Sequence, residues 1–322
     1  MQWSIADDIF GRIERKRSLG LTKRWKFLVA QAMMQATPCT SFEQLPAKTQ
    51  DLILQHLTPA QLLGIRGVSR RWRQAVDDSL GRRHHLHLTK GDMRHANNER
   101  LWRLLRRMPS LRRLTTQYGT ESPRPPLSVD VVSRLLRHLV EVNLLHFGAD
   151  PQSLEGLWTR CPQLEAVTMP RGSAERCAEV LLRRLPSLRR LDVARMCDGV
   201  TAFGLDCLPR LRQLRALDLS WLDTVADATL DRLHGPRLRM LNLSGCRSCS
   251  TDGVTQLVLG CPSLTVLWWL SDLRRTRSLV YSLLRQLSPD RDVTLEVDGR
   301  YLQDLLPLPP GPLRLREWEK GI

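Results

Sequence analysis

Apolar residues recur along the chain in the phrase Leu-x-x-Leu-x-Leu, seen most plainly as Leu-Arg-Met-Leu-Asn-Leu from Leu238 to Leu243. With some Val, Met, Thr or Trp replacements it begins at Leu111, Leu139, Leu164, Leu188, Leu214, Leu238 and Leu264, at spacings of 28, 25, 24, 26, 24 and 26 residues. Alternation with period two predicts a short strand in each copy, with Leu241 and Leu243 pointing into a core and Asn242 pointing out. Leu86-His87-Leu88 fits a first strand, and Val293-Thr294-Leu295, read as 26 residues after Leu267, a last one. Between strands, apolar residues three and four apart predict helical returns such as Ala226 to Leu233 and Asp252 to Leu259. Fixed periods of this length mean stacked strand-and-return units, none of which buries its apolar edge alone. The expectation is an α/β array with a parallel sheet.

The first third of the chain reads differently. Ile5, Ile9 and Ile13, then Trp25, Leu28, Val29, Ala32 and Met33, predict two apolar helical stripes between the basic clusters Arg15-Lys16-Arg17 and Lys23-Arg24-x-Lys26. A transit peptide is also basic and amphipathic, but Asp7, Asp8 and Glu14 are out of place in one. A nuclear address and the outer face of a packed helix pair fit the clusters equally. Further on come Leu45-Pro46, Leu52-Ile53-Leu54, Leu57, a Thr58-Pro59 restart, Leu62-Leu63, Ile65, and Val68-Ser69-Arg70-Arg71-Trp72-Arg73. Threonine as N-cap and proline in a first turn mark short helices, and three are expected.

The order Leu-Pro, leucine-rich helix, Val-Ser-Arg-Arg-Trp-Arg resembles an F-box. It departs from that pattern at Ser79-Leu80-Gly81-Arg82-Arg83, where F-boxes often carry Leu-Trp. The repeated phrase resembles a leucine-rich repeat. Thr251-Asp252-Gly253-Val254 and Gly260-Cys261-Pro262-x-Leu264 resemble the cysteine-containing subtype frequent in F-box leucine-rich-repeat proteins. The resemblances imply a leucine-rich-repeat solenoid, a horseshoe with its parallel sheet on the concave face, preceded by a three-helix F-box module. The expected organisation is a basic helical segment at 1–40, the F-box at 41–83, about nine repeats at 84–298, and a proline-rich tail at 299–322. Pro123-Arg-Pro-Pro126, in the longest spacing, reads as a loop. Within the tail, Leu306 to Leu315, with Pro307, Pro309, Pro310 and Pro312, cannot be a regular helix and is extended, either loose or laid back along the array.

Composition narrows the function classes. No run approaches the roughly 18 apolar residues of a membrane span. The eight cysteines are scattered, and Cys161 and Cys261 sit where small apolar residues would pack, so reduced thiols in the cytoplasm or nucleus are expected. Cys246-x-x-Cys249 lacks the four ligands of a zinc site, and neither metal nor cofactor is expected. His84, His85 and His87 lie on a strand without a nucleophile motif or a phosphate-cradling loop, so an enzyme is not expected. The net charge of +16 is concentrated in residues 1–150, which carry 25 Lys and Arg against 13 Asp and Glu. Such an end attracts nucleic acid or another anionic partner, although RNA-stacking and zinc-finger motifs are missing.

By resemblance, the chain is a substrate-receptor subunit of a cullin-type (SCF) ubiquitin ligase. It would dock on a Skp-type linker through Leu45, Pro46, Leu54, Leu57, Leu62, Ile65, Val68 and Trp72 while the repeats hold a target protein. The alternative is a repeat scaffold whose basic N-terminal region binds RNA or an anionic partner. On the sheet, the outward rungs are expected to run His87, Thr115, Asn143, Thr168, Asp192, Asp218, Asn242, Trp268 and Thr294. Asp192, Asp218 and Asn242, with an exposed Trp268 and Trp221 at the rim, form the expected target site, open to a basic segment. Lysine is missing from residue 91 to 319 while arginine abounds, through either coding bias or a receptor's avoidance of its own modification.

Overall fold

The computed structural model describes residues 45–94, 96–117, 126–148, 150–170, 184–185, 187–194, 208, 211–235 and 237–318. The helices expected in 1–38 lie outside these residues, as does the Pro123–Pro126 loop apart from Pro126 itself. Two compact units divide the described chain: 45–86 with 98–112, and 87–97 with 113 onward.

In the first unit, α1 (Ala47–Gln55), α2 (Pro59–Ile65) and α3 (Arg70–Gly81) are the three expected helices. The Thr58-Pro59 restart is a complete capping box. Thr58 Oγ1 accepts from the Gln61 N–H at 3.3 Å, and the Thr58 N–H donates back to Gln61 Oε1 at 2.9 Å, satisfying donors that a helix start leaves unpaired. Ser69 caps α3 in the same way, accepting from the Trp72 N–H at 3.2 Å. After strand β1 (His85–Leu88) and helix α4 (Lys90–Arg94), α5 (Asn98–Leu105) returns to this unit.

The second unit contains β2 (Arg113–Thr116), β3 (Leu127–Ser128), α6 (Val129–Leu135), β4 (Glu141–Asn143), β5 (Phe147–Gly148), α7 (Pro151–Arg160), β6 (Ala166–Thr168), β7 (Arg190–Asp192) and β8 (Ala216–Asp218). Next come α8 (Asp227–Leu230), β9 (Met240–Asn242), α9 (Thr251–Gly260), β10 (Val266–Trp268), α10 (Leu273–Gln286), β11 (Val293–Val297), α11 (Gly299–Leu305) and β12 (Leu313–Glu317). Ten strands make one sheet in the order β1-β2-β4-β6-β7-β8-β9-β10-β11-β12, and β3 pairs separately with β5. The pairings from β2 to β12 are parallel. This is the α/β leucine-rich-repeat solenoid.

Its core is the leucine pattern made physical. Leu114, Val142, Val167, Leu191, Leu217, Leu241, Leu267 and Leu295 form one buried row, and Leu144, Leu219, Leu243, Trp269 and Val297 lie buried behind it. One expectation about the far end is corrected. Leu295, not Val293, pairs with Leu267, so Glu296 rather than Thr294 is the rung beside Trp268. A two-residue slip leaves the inward and outward faces unchanged, which is why period alone did not detect it. Of the two courses expected for the proline-rich stretch, the one laid back along the array is found: after α11, β12 pairs with β11 from Val293↔Leu313 to Val297↔Glu317.

Candidate functional site

The expected rungs stand in register: Asn143, Thr168, Asp192, Asp218, Asn242 and Trp268 pair successively across β4, β6, β7, β8, β9 and β10. Arg190, Asp192, Asp218, Met240, Asn242 and Trp268 line a shallow depression on the sheet. Four of the five residues expected to hold a target therefore meet in one place. Trp221 does not line it.

Their chemistry differs from the expectation. A carboxylate or amide at the end of four strands turns onto its own backbone: Asn143 Oδ1 accepts from the Leu145 N–H, Asp192 from Ala194, Asp218 from Ser220 and Asn242 from Ser244, all at 2.9–3.0 Å. These are Asx turns, which hold the chain as it leaves the sheet. Asn242 Nδ2 also donates to Asp218 Oδ2 at 3.0 Å. The rungs are thus partly spent on the fold, and Asp192 and Asn242 are buried. Trp268, expected to be exposed, is only 7% exposed, and its indole N–H donates to Glu296 Oε2 at 2.5 Å. Its neighbours on β9 and β11 flank it, and Glu296 supplies the partner that the shorter Thr294 reading had hidden.

Trp221 is 43% exposed and has a positive φ of 63°, uncommon for a bulky residue. Its N–H donates to the Ser244 carbonyl at 2.8 Å, and its ring lies against Gly245. A Cβ at Gly245 would stand 2.5 Å from Trp221 Cε3, and Gly245 itself has φ 75°. Only glycine meets both demands there.

In the first unit, the residues expected to dock the linker divide. Leu45, Leu54, Leu57, Leu62, Ile65 and Trp72 are buried, Leu45 at 4% exposure, so they are not free edges. Val68 is half-buried and Pro46 exposed. Sequence reasoning missed Leu52, which is 54% exposed on α1. The signal was present: with Ile53, Leu54 and Leu57 inward, helical spacing turns Leu52 to the opposite side. Asp77 joins two elements of the unit, accepting from Arg66 at 2.8 and 2.9 Å and from Arg107 at 3.1 Å. Burial pushes its carboxyl up, but the two guanidiniums outweigh that and hold it below its ordinary value.

Arg83, in the segment that departs from the F-box pattern, donates to the Leu54 carbonyl at 2.6 Å and to the Leu57 carbonyl at 3.4 Å, satisfying acceptors in the last turn of α1 and just beyond it. Arg83→Ala is expected to destabilise the unit by about 1.5–3 kcal/mol, the range for hydrogen bonds to a charged group. A urea midpoint equal to that of the unmodified chain contradicts this capping role.

Among the described residues, Cys161, Cys246, Cys249 and Cys261 are buried free thiols. Cys246 and Cys249 donate to the Leu219 and Val225 carbonyls at 3.2 Å each, bonding one repeat to the preceding one. Among the described residues, no helix is long and apolar enough to cross a membrane.

Residues 42–84 match the F-box family, described as the F-box domain. No curated protein matches the chain. Among solved structures, the chain is similar to one of the Rad7 and Elc1 complex in yeast, with 12% identity, 84% of this chain and 89% of that chain covered, and a TM-score of 0.41. It is also similar to the leucine-rich-repeat-containing protein LegL7 from Legionella pneumophila, with 12% identity, coverage of 78% and 88%, and a TM-score of 0.46.

Proposed function

From a chain that is an F-box protein with leucine-rich repeats, we propose a substrate-recognition subunit of an SCF-type ubiquitin ligase, an adaptor rather than a catalyst, working in the cytoplasm or nucleus. The observation that carries this reading is the F-box at residues 42–84 on the same chain as a ten-stranded repeat sheet. The F-box docks on a Skp-type linker and through it on a cullin, using the exposed Pro46 and Leu52 over a core that Leu45, Leu54, Leu57, Leu62, Ile65 and Trp72 hold in shape. The open sheet face around the Asp192, Asp218 and Asn242 depression receives a target protein. Tethering a target near a transfer site raises its effective concentration there, which accelerates transfer without a catalytic side chain.

Affinity recovery of the full chain from cells tests the reading. The linker and cullin are expected in the eluate, in amounts that survive raised salt. If the eluate instead holds nucleic acid that leaves as salt rises, with no linker, the chain is the anionic-partner scaffold that its net charge of +16 also suits.

A further inference from the structure

We propose that the sheet edge formed by Arg189, Arg190, Arg215 and Arg239 binds a short acidic peptide segment of a partner protein. This deepens the receptor reading and rests on it only in taking that partner to be the ligase target.

The backbone places the arginines. The Arg215 N–H donates to the Arg189 carbonyl at 2.7 Å and the Arg239 N–H to the Arg215 carbonyl at 2.8 Å. The three therefore stand immediately before successive strands, about 4.8 Å apart, and all three are exposed. Arg190 follows Arg189 and lines the depression described above.

Several arginines elsewhere in the array have internal work. Arg160 reaches the Ser133 carbonyl at 2.9 Å and Arg291 the Cys261 carbonyl at 3.0 Å, each in an earlier repeat. Arg113, Arg184 and Arg314 face Glu141, Glu155 and Asp292. On this edge, Arg189 has Glu165 at 3.6 Å, while Arg190, Arg215 and Arg239 have no ion pair among the described residues. The neighbouring carboxylates of Asp192 and Asp218 accept backbone N–H groups, and Asp218 also accepts from Asn242; neither makes an ion pair with these arginines among the described residues. Three arginines without an ion pair thus outnumber the two carboxylates beside them, which favours an acidic partner at the arginines; the sequence-based expectation put a basic one at the carboxylates.

Geometry selects a peptide over a nucleic acid. Three strands span about 10 Å, room for two or three carboxylates. Continuing across the sheet, the same rows reach Glu165 and Glu141 on one side and the uncharged Thr265 and Val266 on the other. A longer polyanion would meet the carboxylates. No aromatic side chain stands in these rows to stack a base. Guanidinium forks match carboxylates in bidentate pairs, which lysine does not offer, and the lysine-free array supplies only arginine here.

Fluorescence anisotropy with the full chain tests this, using a fluorescein-labelled hexapeptide of alternating Glu and Asp at physiological ionic strength. The acidic peptide is expected to bind and its Gln/Asn counterpart not to bind. Arg190→Gln/Arg215→Gln/Arg239→Gln should weaken binding roughly tenfold or more, because three exposed ion pairs are lost. Arg274→Gln/Arg277→Gln/Arg285→Gln removes the same charge from exposed positions on α10 and should leave binding unchanged. Equal loss in the two variants, no binding of the acidic peptide, or its displacement by oligouridine of equal length at lower concentration overturns the proposal. Linker recovery is independent of this assay, so failure of the ligase reading and failure of the acidic-segment reading are separately visible.

Discussion

Leu241→Ala is expected to destabilise the repeat array by about 2–5 kcal/mol, the cost of truncating a buried leucine whose cavity cannot fully collapse. Leu241 is fully buried on β9, between Leu217 of β8 and Leu267 of β10. The loss is therefore felt on both sides, as in any array stabilised by nearest-neighbour interfaces. Asn242→Ala is a sharper comparison than its outward position alone suggests. It removes the acceptor for the Ser244 N–H and the donor to Asp218, and Ser244 is buried. A buried N–H left unsatisfied costs about 1–3 kcal/mol. Urea unfolding of the two variants should rank Leu241→Ala first and Asn242→Ala a measurable second. A silent Asn242→Ala would mean that the Asx turn contributes nothing and that the rung is free to face a ligand.

The strands were legible because leucine spacing carries two signals at once, the repeat length and the period-two alternation. Both survive replacements such as the Val142 and Val167 seen in the buried row. The direction of each rung was legible for the same reason; its task was not. Asp and Asn at a strand end look alike whether they wait for a partner or bind their own backbone two residues on, because only the backbone turn decides. Trp268 was misread through register. With Thr294 set beside it no carboxylate was in reach, whereas pairing with Glu296 gives its indole N–H an acceptor. Proline at 307, 309, 310 and 312 drew attention away from Leu313-Arg-Leu-Arg-Glu, whose alternation is that of an ordinary strand and whose five residues pair with β11. In the F-box, a leucine that builds the module and one that meets a partner have the same letter, and only the helical phase around Ile53, Leu54 and Leu57 separates them.

That separation gives the last expectation its form. Pro46→Ala/Leu52→Ala is expected to weaken linker binding at least tenfold while leaving the thermal midpoint near that of the unmodified chain. Leu52 is 54% exposed, so its truncation opens no cavity, yet burying such a side chain under a partner contributes about 1.5–3 kcal/mol, which is tenfold or more in affinity. Leu45→Ala should behave in the opposite manner. At 4% exposure, it is part of the packing, its loss should cost about 2–5 kcal/mol of stability, and any fall in linker affinity should track the unfolded fraction and recover when conditions favour the folded state. Isothermal titration of purified linker, with circular dichroism on the same samples, distinguishes the two. If Pro46→Ala/Leu52→Ala binds as tightly as the unmodified chain, the docking face is not the α1 side. The half-buried Val68, beside the capped start of α3, is then the position to replace next, because it keeps an accessible apolar surface without being buried in the core of the module.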